Sequence, residues 1–134
     1  ALTIRTSIIG HEVNTAYGLL EWFLSQKGKT VNGFTDVYYT GVTTNYLSDI
    51  INKIIMDFPN MSGLYHIASP RISKYDLLCK INDIYGLNVN IIPNNTVKQD
   101  KSLIDTKFRI ETHYPIVSWN NMLQQMKEEG RINE

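Results

Sequence analysis

Ala1-Leu-Thr-Ile-Arg-Thr-Ser-Ile-Ile-Gly-His-Glu12 is the stretch on which the fold turns. Leu, Ile and Thr crowd residues 2 to 9, and a near-continuous apolar run ending at a glycine reads as a parallel strand covered on both faces. It opens with no initiator Met and no preceding turn, so the sequence is expected to be the interior of a longer protein. A parallel strand needs neighbours, and some of them are expected to lie outside these 134 residues.

Downstream, helices and strands alternate. Leu19, Leu20, Phe23 and Leu24, with Tyr17 and Trp22 nearby, give a helical stripe from Thr15 to Lys27 that Gly28 ends. Leu47, Ile50, Ile51, Ile54, Ile55 and Phe58 follow helical spacing after Thr43 and Thr44 as N-caps, with Pro59 as the stop. Gly63-Leu-Tyr-His-Ile-Ala68 reads as a short strand. Ser73 and Asp76 form a capping-box-like pair, Ile72 and Leu77 staple the entry, and Leu77, Leu78, Ile81, Ile84 and Tyr85 make the apolar face of a helix closed by Gly86. Asn88 to Ile92 reads as a strand stopped by Pro93. Short helices are expected over Asp105 to Glu111 and Ser118 to Lys127, which makes the chain α/β, helices with short strands.

Composition narrows the class. With 43% hydrophobic residues the chain can bury one core and is too short for two. Thirteen basic residues balance thirteen acidic ones without a run of either sign. That leaves no electrostatic footprint for nucleic acid or an anionic membrane. Cys79 is the single cysteine and closes no internal disulfide, and no apolar run approaches membrane-spanning length, so a reducing, cytoplasmic setting is expected.

Self-contained chemistry is hard to find. A dinucleotide loop needs closely spaced glycines so that the backbone can approach a pyrophosphate, and the eight glycines never fall two or three apart. His11-Glu12 is half of a zinc-protease pattern, but Thr15 stands where the second ligand belongs, so no metal site is expected. His66 reads as a satisfied structural histidine inside a strand. None of the eight tyrosines has Lys four positions later, so no catalytic Tyr-x-x-x-Lys pair, and no other catalytic residue, is assigned to this chain.

Four motifs occur in a telling order: Arg5-Thr-Ser7 at a strand end, Asp36 to Thr43 before a long helix, Gly63-Leu-Tyr-His66 as a strand, and Asp100-Lys-Ser-Leu103 before a final helix pair and Trp119. Over residues 2 to 126 the set resembles the C-terminal half of dTDP-4-dehydrorhamnose reductases, members of the extended short-chain dehydrogenases. The resemblance implies that residues 1–12 are the last part of a Rossmann sheet and that 13–134 form the sugar-nucleotide-binding part of a single substrate-binding domain. It also implies that NADP or NAD is bound mainly by an N-terminal half carrying the catalytic Tyr and Lys.

By the same resemblance Thr6 and Ser7 would touch the cofactor, while Ile8, Tyr38, Tyr39, Thr40 and Gly41 would touch a nucleotide sugar. Small hydroxyls can bond a carboxamide or a hexose hydroxyl without filling a cleft, aromatic faces pack on sugars, and glycine permits close approach. Rhamnose-forming reductases usually have Trp where this chain has Ile8 and Pro-Thr where it has Val42-Thr43. The sugar nucleotide is therefore left open. Three readings stand: a 4-keto-6-deoxyhexose nucleotide reductase of surface polysaccharide precursor synthesis, an epimerase or dehydratase of the same superfamily, and a non-catalytic regulatory subunit resembling the methionine adenosyltransferase β subunit. A homodimer through the exposed N-terminal strand is a further expectation.

Overall fold

The apolar run at residues 2 to 9 is broken at Thr6-Ser7 into two strands. The computed structural model describes residues 1–10 and 18–130. In chain order its elements are β1 (Leu2–Arg5), β2 (Ile8–Ile9), α1 (Leu19–Leu24), β3 (Thr30–Tyr39), β4 (Val42–Thr43), α2 (Thr44–Asp57), β5 (Gly63–His66), β6 (Ile72–Ser73), α3 (Lys74–Tyr85), β7 (Asn90–Asp100), α4 (Thr106–Thr112) and α5 (Trp119–Glu129). The fold is α/β, as the patterning predicts. β1 lies parallel to β5, and β2 parallel to β4. β3 is the centre of a three-stranded sheet, antiparallel to β6 and parallel to β7.

β1 is not covered on both faces among the described residues. Leu2 and Ile4 are half-buried, Thr3 and Arg5 are exposed, and Ile8 is 54% exposed. A strand alternates its side chains between faces, so packing on one side alone gives this pattern.

Three helix starts can each be traced to one residue. The Thr43 hydroxyl accepts the Tyr46 N–H at 3.2 Å, so Thr43 caps α2. Ser73 accepts the Asp76 N–H at 3.0 Å at the start of α3, and Gly86, at φ +62°, closes that helix in the left-handed region. Ser118 caps α5 through the Asn121 N–H. The stripe of α2 is narrower than its spacing suggests. Tyr46, Ile50 and Ile54 are buried, whereas Ile51 and Ile55 are 40% and 64% exposed. Residues 46, 50 and 54 stack at i, i+4, i+8, and Ile51 and Ile55 sit a quarter-turn away on the flank.

Two strands differ from expectation. β3 is ten residues long and begins at Thr30, well before the Asp36 to Thr43 segment. β7 does not stop at Pro93 but runs on to Asp100. Pro93 lies beside Gly33 on an edge strand, where a missing N–H is tolerated because one side of the strand carries no ladder. The register shifts between Phe34 and Asp36, opposite Asn94 and Lys98. The expected helix start at Thr15, like the His11-Glu12 dipeptide, lies outside the described residues.

One core joins the layers. Leu20 and Phe23 of α1, Ile50 of α2, Leu77, Leu78 and Ile81 of α3, Phe108 of α4 and Met122, Leu123 and Met126 of α5 are almost wholly buried. Each such side chain contributes about 1.5–3 kcal/mol relative to exposure.

Candidate functional site

The parallel strands bring their C-terminal ends to one place. β1, β5, β3 and β7 end at Arg5, His66, Tyr39 and Asp100, and the segments that follow are laced together. Val42 N–H donates to Ser7 C=O at 2.8 Å, Ile67 N–H to Arg5 C=O at 3.1 Å, Ser69 N–H to Thr40 C=O at 2.8 Å, and Lys101 N–H to Tyr38 C=O at 3.0 Å. Ligands of open α/β sheets sit just beyond such strand ends.

The residues singled out in the sequence meet there, but their side chains have different duties. Thr6 donates its hydroxyl to the Ile67 carbonyl at 2.7 Å and so ties β1 to the segment after β5. Ser7 is half-buried, and its backbone carbonyl, as noted, holds Val42. Ile8 presents its side chain to solvent. Thr40 is 5% exposed, and its hydroxyl accepts the Leu103 N–H at 2.9 Å. That hydroxyl is therefore occupied in fixing the wall. The Tyr39 ring packs on Trp119 with centroids 6.1 Å apart, and burial pushes its phenol up from an ordinary 10.0 to about 12. Gly41 faces that ring so closely that an added Cβ would collide with the Tyr39 phenol, which accounts for the glycine.

Tyr38 points elsewhere. The Arg71 guanidinium lies 3.5 Å from its ring centroid, and Arg71 also pairs with Asp100 at 3.2 Å. Asp100 is held below the usual carboxylate range, first by the Ser102 hydroxyl, then by the Ser102 backbone N–H, with Arg71 adding to the effect. Tyr38, Arg71 and Asp100, with Asp36, Lys98 and Gln99, line a shallow cavity of about 410 Å³. Sequence reasoning did not single out Arg71 as a site residue. Its placement depends on β6 pairing with β3, and the two-residue β6 has no periodicity to reveal it.

His66 departs from the expectation of a satisfied histidine. Its Nε2 is buried with no hydrogen-bond partner, which is uncommon for a buried polar atom. His66 stands beside Arg5 in the parallel pairing of β1 with β5. Among the described residues no three His, Cys, Asp or Glu side chains gather to hold a metal ion. Cys79 is half-buried, and burial raises its thiol pKa.

A scan against protein-family models returned no match, and neither did a search of curated proteins. Solved structures do share the fold, which is that of Rossmann-type sugar-nucleotide reductases and epimerases. The chain is similar to the dTDP-4-dehydrorhamnose reductase of Bacillus anthracis in complex with NADP, with a TM-score of 0.78, 20% identity, and coverage of 96% of this chain and 48% of that one. The dTDP-4-dehydrorhamnose reductase of Yersinia enterocolitica gives a TM-score of 0.74 at 20% identity, over 93% of this chain and 48% of that one. The UDP-N-acetylglucosamine 4-epimerase of Bacillus cereus gives 0.69 at 13% identity, over 92% and 45%. The chain spans about half the length of the structures it matches.

Proposed function

We propose that this chain is the substrate-binding portion of an NAD(P)H-dependent sugar-nucleotide reductase acting on a 4-keto-6-deoxyhexose nucleotide. The observation that supports this reading is the meeting of Thr6–Ile8, Tyr38–Gly41, Ser69–Arg71 and Asp100–Leu103 beyond the ends of parallel strands, on a fold shared with reductases of that kind. The chain's part is to position a nucleotide sugar. It has neither a glycine-rich phosphate loop nor a Tyr-x-x-x-Lys pair, so its own residues do not form a dinucleotide site, and Thr6 and Ser7 would lie only at the edge of one.

The epimerase reading has the Bacillus cereus likeness in its favour, and product analysis on a protein containing both halves separates the two. The setting is cytoplasmic on this reading; no described helix is long and apolar enough to cross a membrane. β1 pairs only with β5 among the described residues. Its other edge would take either the sheet of a Rossmann half or the same strand of a second copy.

The test is made on residues 1–134. They should leave NADPH unoxidised with any 4-keto sugar nucleotide, yet a dTDP-hexose should perturb the amides of Thr6 to Ile8 and Tyr38 to Gly41. Turnover by the chain alone, or a titration that leaves both segments untouched, would falsify the proposal.

A further inference from the structure

We infer that Arg109, a side chain of α4 behind the candidate site, is the positioning residue of the site's central wall, an inference that rests on the nucleotide-sugar reading. That wall is the stretch Ile67-Ala-Ser-Pro70, which belongs to no helix or strand. Its place is set by what grips it, and each of the four residues is gripped from a different part of the molecule. The Ile67 carbonyl accepts the Thr6 hydroxyl at 2.7 Å, and the Ala68 carbonyl accepts an N–H of Arg109 Nη2 at 2.8 Å. The Ser69 N–H donates to the Thr40 carbonyl at 2.8 Å, and the Pro70 carbonyl accepts the Trp119 indole N–H at 2.7 Å. Of these four bonds only the one from Arg109 has a charged donor, and such bonds are roughly twice as strong as neutral ones.

Arg109 stands in the last turn of α4, and its side chain is 14% exposed. Asp105, one turn back, accepts from its Nε at 2.7 Å and so fixes the plane of the guanidinium. Nη1 donates to the carbonyls of Tyr114 and Pro115, both at 3.0 Å, after His113 turns the chain at φ +54°. The linker held in this way leads into Trp119. Arg109 therefore grips the wall twice, directly at Ala68 and through the placing of the indole at Pro70. A lysine ammonium is a single point and cannot reach Asp105, Ala68 and the linker together, whereas a planar fork can. Stability alone does not call for the arrangement, because apolar side chains of similar volume often replace a buried ion pair without loss. What the pair contributes is a defined position for Ser69 and Arg71.

The full chain, isotopically labelled, is titrated with dTDP-glucose beside three variants, following the amides of Ser69 and Arg71. Arg109→Lys should shift both amides in the free protein and weaken dTDP-glucose binding by at least about tenfold. Asp105→Asn keeps an acceptor for Nε but removes the ion pair, and should act in the same direction by less. Phe23→Leu alters a fully buried core residue of α1, and should lower the melting temperature while leaving the affinity unchanged. An Arg109→Lys chain that binds dTDP-glucose as tightly as the parent overturns the inference and leaves the nucleotide-sugar reading standing. A Phe23→Leu chain that loses as much affinity overturns it too, since Arg109 would then act through stability alone. Should Arg109→Lys fail to fold, Asp105→Asn decides by itself, and unchanged affinity in that variant overturns the inference. A parent chain whose amides dTDP-glucose leaves unmoved overturns both the inference and the reading beneath it.

Discussion

The indole N–H of Trp119 donates to the carbonyl of Pro70 at 2.7 Å, and the same indole packs beside Tyr39. The last helix thus holds both the segment that presents Arg71 and the end of β3. Trp119→Phe removes the donor and shrinks a ring that is 4% exposed. The expected destabilisation is about 2–3 kcal/mol, combining a lost hydrogen bond with a small cavity. Urea unfolding should show a lower midpoint at unchanged slope, and an unmoved midpoint would mean that water replaces the indole at Pro70 without cost.

The Tyr39 phenol makes stability depend on alkaline pH. Its folded pKa of about 12 lies above the ordinary 10.0, so the neutral ring's contribution is complete below pH 10 and is lost as pH rises through 12. Two units correspond to about 3 kcal/mol. Tyr85 is also pushed up to about 12 by burial, with Glu21 adding to the shift. Tyr39→Phe should therefore lessen the loss of stability between pH 10 and 12 without abolishing it, since Tyr85 and other tyrosines with raised pKa remain. A variant whose unfolding midpoint falls as steeply as the parent's would show that Tyr39 ionises without penalty.

Thr40 and Ser7, expected from the resemblance to touch the nucleotide sugar and the cofactor respectively, should respond differently to substitution. Thr40→Val strands the Leu103 N–H and should cost about 1–3 kcal/mol. Ser7→Ala should stay within about 0.5 kcal/mol of the parent and act instead on nucleotide-sugar binding. Calorimetry of both variants beside a dTDP-hexose titration checks the contrast, and equal losses of melting temperature would place Ser7 in the scaffold too.

Gly41→Ala drives a methyl group into the Tyr39 phenol. A loss of about 1–3 kcal/mol is expected from overpacking. Trimming Tyr39 to Leu in the same chain should make the alanine nearly free to add, since the obstacle is then gone; a double variant showing the sum of two full penalties would point to backbone strain at Gly41 instead.

The elements most legible in the sequence are those whose signals are local. Thr43, Ser73, Gly86 and Ser118 each fix a helix end through a bond or a backbone conformation within a few residues, and all four hold those positions. β3 was not legible, and of β7 only the part before Pro93 was. Their residues alternate poorly, Gly33 and Pro93 punctuate them, and each owes its strand state to the other across the sheet. The same distinction divides the candidate site. Thr6, Ser7 and Tyr38 to Gly41 occupy strand ends that motif order could find, whereas Arg71 reaches Tyr38 only through the β3–β6 pairing. The unpartnered Nε2 of His66 belongs to the same class, because what packs against a strand residue leaves no trace in local spacing.

The parallel pairing of β3 with β7 sets Thr30 against Asn90 and Tyr38 against Asp100, with α2, β5, β6 and α3 in between. Contacts so remote in sequence are slow to form, because a long loop must close before any of them is rewarded. α2 and α3 can wind early on their own caps, but the knot of Thr40 with Leu103 waits for the far strand. On a ribosome the candidate site therefore cannot close until residue 103 has emerged, and a chain stopped short of that point would carry helices and paired short strands without the knot that joins them.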